Sequence, residues 1–136
     1  MDLQFAVDYP SIMQRLDAID PLVYAKTRNY VNGAVTYLSP YISRGVISTK
    51  QVLAHALAKG YQIKEIESFV KELCWRDYFQ RVAQQKDISQ DLRQAQYPVS
   101  NYEIPTAVVS ASTGVEGIDQ AIKQLYQTGY MHNHCR

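Results

Sequence analysis

Apolar residues recur at steps of three and four along almost the whole chain, a periodicity that confines it to packed helices. Val52, Leu53, Ala56 and Leu57 form one stripe. Ile66, Phe69, Val70 and Leu73 form a second, within a helix predicted from about Ile63 to Val82. Ile118, Ala121, Ile122 and Leu125 form a third, expected to line the inner face of a helix that Gly129 closes. Ser48-Thr-Lys-Gln51 and Thr113-Gly-Val-Glu116 both read as capping boxes, in which a hydroxyl and a longer side chain three residues on satisfy each other's backbone amides. Gly60 is a natural stop for the helix begun at Ser48. The stretch from Pro10 to about Tyr30 reads as one or two shorter helices broken near Asp20-Pro21. Strand alternation is absent apart from Val108-Val109, which could pair as a short strand. The expected fold is an all-α, multi-helical bundle.

Two segments interrupt the pattern. Asn32-Gly33 is a turn signal between Val31 and Val35. Residues 97–113 carry Pro98 and Pro105 among serines and threonines, and so long a connection in a small domain is usually functional. With 136 residues, 46% of them hydrophobic and 20% charged, the chain has enough apolar surface for a core. A net charge of +1 excludes a generally basic nucleic-acid coat or a polybasic membrane anchor, while leaving room for a local basic groove. Cys74 and Cys135 are too few for a disulfide framework and suit a reducing, cytoplasmic setting. No apolar run approaches the roughly 18 residues of a membrane span. The acidic start, Met-Asp-Leu-Gln-Phe-Ala-Val-Asp, lacks the bases of an export signal.

Three constellations carry chemistry. In Leu38-Ser39-Pro40-Tyr41, Ser39 reads as an N-cap with Pro40 in the first turn. A helix start leaves amides free for an anion such as phosphate, and the hydroxyls of Thr36 and Ser39 would add donors. A plain helix cap is the structural alternative. In Glu72-Leu-Cys-Trp75-Arg76-Asp77-Tyr78-Phe79, helical spacing puts Glu72, Trp75, Arg76 and Phe79 on one face. An aromatic plane beside a carboxylate and a guanidinium can stack a flat heterocycle and bond its edge. The alternative is a surface Glu72–Arg76 ion pair beside a partly buried tryptophan. The last segment, Met131-His132-Asn133-His134-Cys135-Arg136, tempts a zinc reading. Its closely spaced ligands point apart on a helix, so no metal is expected.

These three blocks, in this order, resemble the C-terminal FAD-binding helical domain of the DNA photolyase/cryptochrome family. Tyr24 with Arg28, then Leu38-Ser39-Pro40-Tyr41 and Gly45, is similar to the segment that holds the FAD phosphates. Glu72-Leu73 with Trp75-Arg76-Asp77 is similar to a Glu-Leu-x-Trp-Arg-Glu block. Thr113-Gly114, Asp119, Ala121, Gln124-Leu125, Thr128-Gly129 and Met131-His132-Asn133 match a long family run without a gap. The resemblance implies FAD as cofactor. It implies Tyr24, Thr36, Leu38 and Ser39 at the diphosphate, with Arg76 close by, and Asn133 and Arg136 beside the flavin. Glu72 and Trp75 would face a cavity that receives a flipped pyrimidine dimer from damaged DNA. The catalytic assignments are therefore Glu72, Trp75 and Asn133.

The implied domain covers residues 21–136, the front half of the family's cofactor domain, with residues 1–20 as a lead-in. Remaining helices would come from a partner or from a second copy. Val35 stands where the family has a hydroxyl, and His134 where it has an arginine. Those departures, with the near-neutral charge, favour the alternative of a cryptochrome-like flavin module without repair activity; a further alternative is a cofactor-free helical remnant that self-associates to cover the apolar face its missing half would bury.

Overall fold

Aspartates open the first two helices. The computed structural model describes residues 4–30, 32–88, 101–132 and 135. Helix α1 (Tyr9–Asp17) begins where Asp8 accepts a hydrogen bond from the Ser11 amide at 2.9 Å. Helix α2 (Pro21–Thr27) begins where Asp20 accepts from the amides of Leu22 and Val23 at 2.9 and 3.0 Å. The break between them falls at Asp20-Pro21 as the sequence implies, because Pro21 cannot donate to a preceding helical turn. Then follow α3 (Ser39–Ser43), α4 (Thr49–Ala58), α5 (Glu67–Gln85), α6 (Thr106–Val109) and α7 (Glu116–Thr128). No strand occurs among the described residues, and none of their helices is long and apolar enough to cross a membrane. The all-α expectation holds.

The capping box at Ser48 forms in full. The Gln51 side chain accepts from the Ser48 amide at 2.7 Å, and the Ser48 hydroxyl accepts from the Gln51 amide at 3.1 Å. The box expected at Thr113 does not form. Asp119, one turn into α7, accepts from both the amide and the hydroxyl of Thr113, at 2.8 and 2.7 Å. The N-cap falls at Val115, two residues later than the box requires, so Glu116 is the first and not the third residue of α7, and the helix has no side-chain cap. The long helix starts later than the periodicity predicts, at Glu67 instead of Ile63. Glu65 accepts from the Gln62 amide at 2.8 Å and holds residues 63–66 as a turn. It also runs on to Gln85, because Ala83, Gln84 and Gln85 are good helix formers. Val108-Val109 lies in the short α6 helix and pairs with no strand.

The described residues of 6–86 form one compact unit and those of 4–5 and 87–136 another. In the first, α2 and α4 pack on α5, and α1 packs on α4. Ile12, Leu16, Leu38, Ile47, Val52, Ile66 and Phe69 are all buried. Each such side chain contributes about 1.5–3 kcal/mol by leaving water. Lys59 of α4 donates to the carbonyls of Asp17 and Ile19, and His55 lies 2.6 Å from the Asp17 carboxylate, so α4 closes the end of α1. Gly33 sits so tightly on the end of α2 that a Cβ there would meet the Thr27 carbonyl oxygen at 1.8 Å.

In the second unit α6 packs on α7, and Tyr126 donates its hydroxyl to the Val109 carbonyl at 2.8 Å. Gly129 ends α7 in the left-handed region at φ 70°, as expected of a helix-stopping glycine. Of the stripe expected to face inward, Ala121 and Ile122 are buried, whereas Ile118 and Leu125 remain exposed.

Candidate cofactor and base-stacking site

The site assembles on the face where α2 meets α5. Tyr24 and Arg28 are one turn apart on α2 and its C-terminal cap, so both point to the same side. The Tyr24 ring packs edge-on against Phe69 of α5, with centroids 5.3 Å apart. One turn further along α5, Glu72 forms an ion pair with Arg28 at 2.9 Å. The pairing that the sequence spacing allows, Glu72 with Arg76, is therefore not the one that forms. Both partners are about one-third exposed, which limits the ion pair to about 1 kcal/mol or less. Its larger effect is geometric, since it fixes the direction of the carboxylate. Burial, and secondarily the Glu72 charge, push the Tyr24 hydroxyl above its usual pKa, against the opposing pull of Arg28.

Arg76 follows on α5. Its Nε is shut off from solvent and has no hydrogen-bond partner among the described residues. A buried guanidinium N–H left without an acceptor costs roughly 1–3 kcal/mol, so this position is suited to an anionic oxygen. Trp75, Tyr78 and Phe79 form an exposed aromatic plate beside it. Trp75 stacks on Phe79 at 5.9 Å and 26°, and Tyr78 meets both rings edge-on at 5.7 and 5.3 Å. All three rings are more than half exposed, at 52%, 53% and 61%. Asp77, on the other side of the helix, accepts from the Thr49 hydroxyl at 2.9 Å and ties this stretch to α4.

The loop before α3 departs from expectation. Leu38 already has helical dihedrals, φ −87° and ψ −15°, and takes the cap position. Ser39 is thus the first residue inside α3 and caps nothing, because burial of Leu38, 1% exposed, fixes how the chain enters the helix. With its side chain in the core, Leu38 can offer a cofactor its backbone alone. Thr36 accepts from the Leu38 amide at 3.3 Å, and the Ser39 carbonyl accepts from the Ser43 hydroxyl at 2.8 Å. Asn133 and Arg136 lie outside the described residues.

The structure brings together Tyr24, Glu72 and a residue whose role the sequence left unassigned, Arg28. Its charge and its four-residue step from Tyr24 were the available signal. Tyr78 was likewise missed as a ring partner of Trp75, although its three-residue step from Trp75 on α5 was the available signal.

Residues 69–136, half of the chain, match the family described as the FAD binding domain of DNA photolyase. A deoxyribodipyrimidine photo-lyase of Synechococcus sp. is 34% identical over 125 residues, covering 82% of this chain and 26% of that protein. The photo-lyase of Vibrio cholerae is 31% identical over 108 residues, covering 73% and 23%. That of Alkalihalophilus pseudofirmus is 30% identical over 105 residues, covering 73% and 22%. The chain spans about a quarter of the length of these curated relatives. No solved structure matches it.

Proposed function

The chain belongs to the family of DNA photolyase FAD-binding domains, and from that premise we propose that it binds FAD and presents it to a damaged pyrimidine pair in DNA. The observation that carries this reading is the run 72–76 of α5. Within five residues it offers an oriented carboxylate, an open indole face and a guanidinium whose buried Nε has no acceptor among the described residues.

In this reading the hydroxyls of Tyr24, Thr36 and Ser39, with the Leu38 backbone, donate to or line the diphosphate. Arg76 neutralises part of its charge. Asn133 and Arg136 lie beside the flavin ring. Reduced FAD, when bound, supplies the electron that light drives into the dimer. The protein residues do the positioning. Trp75 stacks an extruded base, repaying part of the few kcal/mol that leaving the duplex stack costs. Arg28 holds Glu72 so that its free oxygen accepts from a base-edge N–H.

A second reading, flavin binding without repair, is favoured by Val35, which removes a hydroxyl from the phosphate loop, and by His134 in place of a basic side chain. Three measurements on the purified chain separate them. Reconstitution with FAD should give a stoichiometric flavin band that Arg76→Ala weakens. Light should then repair a dimer-containing oligonucleotide, with Trp75→Ala reducing affinity for it about tenfold and Glu72→Ala suppressing turnover. A flavin-loaded protein with no repair supports the second reading. A protein that takes up no FAD and sediments as an oligomer refutes both and leaves a self-associating helical domain.

A further inference from the structure

Where α5 carries the site, apolar packing does little to hold it. Of its residues Phe69 alone is buried. From Cys74 to Gln80 every residue is exposed except Arg76, which is half-buried. A stretch with so few buried apolar contacts has little to oppose rotation about its own axis. Polar ties to neighbouring helices take over. Glu72 pairs with Arg28 at the end of α2 at 2.9 Å, and Asp77 accepts from the Thr49 hydroxyl of α4 at 2.9 Å. At about 100° per residue the two carboxylates leave α5 roughly 140° apart, one at each edge of the inward face that runs from Phe69 to Arg76. The Asp77 anchor is itself fixed. Thr49 directly follows the Ser48 cap, whose box with Gln51 is complete, and buried Val52 and Ala56 seat α4 in the core.

We infer that Asp77 is a positioning residue: its bond to Thr49 fixes the rotation of α5 and so aims Arg76 and Trp75 at cofactor and base. The inference deepens the proposed flavin and base-stacking role of α5 and rests on it. A tie on one edge is a pivot, around which the helix still turns. The second tie, on the opposite edge, removes that freedom. Without it the inner face rolls outward, the Arg76 Nε meets water and the aromatic plate swings. Such precision matters, because a misplacement of about 1 Å can cost about a hundredfold in rate.

The test compares Thr49→Val, Asp77→Ala, the double variant and Asp77→Asn in the full chain. Hydrogen exchange at the Arg76 Nε–H, followed by NMR of ¹⁵N-labelled protein, reads the inner face. Near-ultraviolet circular dichroism of Trp75, the chain's single tryptophan, reads the plate. Thr49→Val and Asp77→Ala should each speed that exchange about tenfold and weaken the Trp75 band, with the double variant no worse than either, since all three lose one bond. Asp77→Asn keeps an acceptor for the Thr49 hydroxyl and should restore native values. The bond is exposed, so the urea midpoint should stay in place, which a merely structural role would not allow. Native exchange and an unchanged band in either single variant would overturn the inference. So would additive effects in the double variant, or an Asp77→Asn chain as loose as Asp77→Ala. Both signals are read without flavin, so a chain that takes up no FAD fails the proposed function while these readouts still decide the positioning.

Discussion

From Ala6 to Lys86 the helices close around Leu16, Leu38, Ile47, Val52, Ile66 and Phe69, whereas the described residues beyond Lys86 bury chiefly Ala111, Ala121, Ile122 and Tyr130. The second region leaves Ile104, Val115, Ile118 and Leu125 exposed, as the first leaves Ile63, Trp75, Tyr78 and Phe79. Yet this sparsely packed region lies wholly within the family match, which begins only at Phe69 of the first. The photo-lyases align over 73–82% of the chain and so reach into the first region as well. Aliphatic side chains can exchange in a core at modest cost if volume is kept. Side chains that hold a cofactor or a base cannot; of the candidate residues, Glu72, Trp75 and Arg76 fall inside the match, while Tyr24, Thr36, Leu38 and Ser39 precede it.

The largest contrast should come from two glycines. Gly33 lies against the Thr27 carbonyl oxygen, so Gly33→Ala forces backbone apart and should destabilise the first region by more than about 3 kcal/mol, at or beyond the upper end of overpacking costs. Gly117, in the first turn of α7, has open space where a Cβ would go and no positive φ. Gly117→Ala should therefore stabilise, by about 0.5 kcal/mol, through the better helix propensity of alanine. Urea unfolding of both variants checks this. Equal and opposite-to-expected effects would mean the two regions are packed alike.

A smaller contrast concerns two isoleucines. Ile66 is fully buried and Ile122 is 6% exposed, with exposed neighbours on its own helix. Ile66→Ala should cost about 3–4 kcal/mol and Ile122→Ala about 2, because a loosely covered site collapses more readily around a deletion. The chain has a single tryptophan, Trp75 on α5, so its fluorescence reports the first region, while hydrogen exchange of α7 amides reports the second. Ile122→Ala should loosen α7 exchange while leaving the Trp75 transition in place. If both signals move together for both variants, the regions unfold as one.

The same contrast explains what was legible in the sequence. Helix class, the break at Asp20-Pro21, the Ser48 capping box and the glycine stops followed from local chemistry and were readable. What failed was wherever another residue took the place or the partner that the local pattern assigned. Asp119 took the Thr113 donors from Glu116, Arg28 took Glu72 from Arg76, and the buried Leu38 displaced Ser39 from its cap. The candidate site was legible as a set of residue types on α5, because spacing fixes a helix face. Its ion pair with α2 was not, because a one-dimensional pattern does not say which helix packs opposite.

Asp119 offers the smallest and most local test. Its carboxyl is held below the usual value of 3.8, first by the Thr113 hydroxyl and then by the Thr113 amide. A depressed folded-state pKa means the stabilisation is complete above about pH 4, where the group is ionised in both folded and unfolded chains, and is lost as pH falls through the lower folded value. In the first region Asp8 is lowered in the same direction, chiefly by the Ser11 amide, but it caps a helix that Ile12 and Leu16 already anchor. Acidification below about pH 4 should therefore release protection at Thr113 and the start of α7 while α1 stays protected by its buried face. Asp119→Asn should remove most of the pH dependence at Thr113, because the amide oxygen still accepts but no longer titrates. If α1 and the 113–115 turn open together on acidification, or if Asp119→Asn leaves the profile unchanged, the second region does not depend on this one carboxylate, and its order must come from packing of the kind seen in the first.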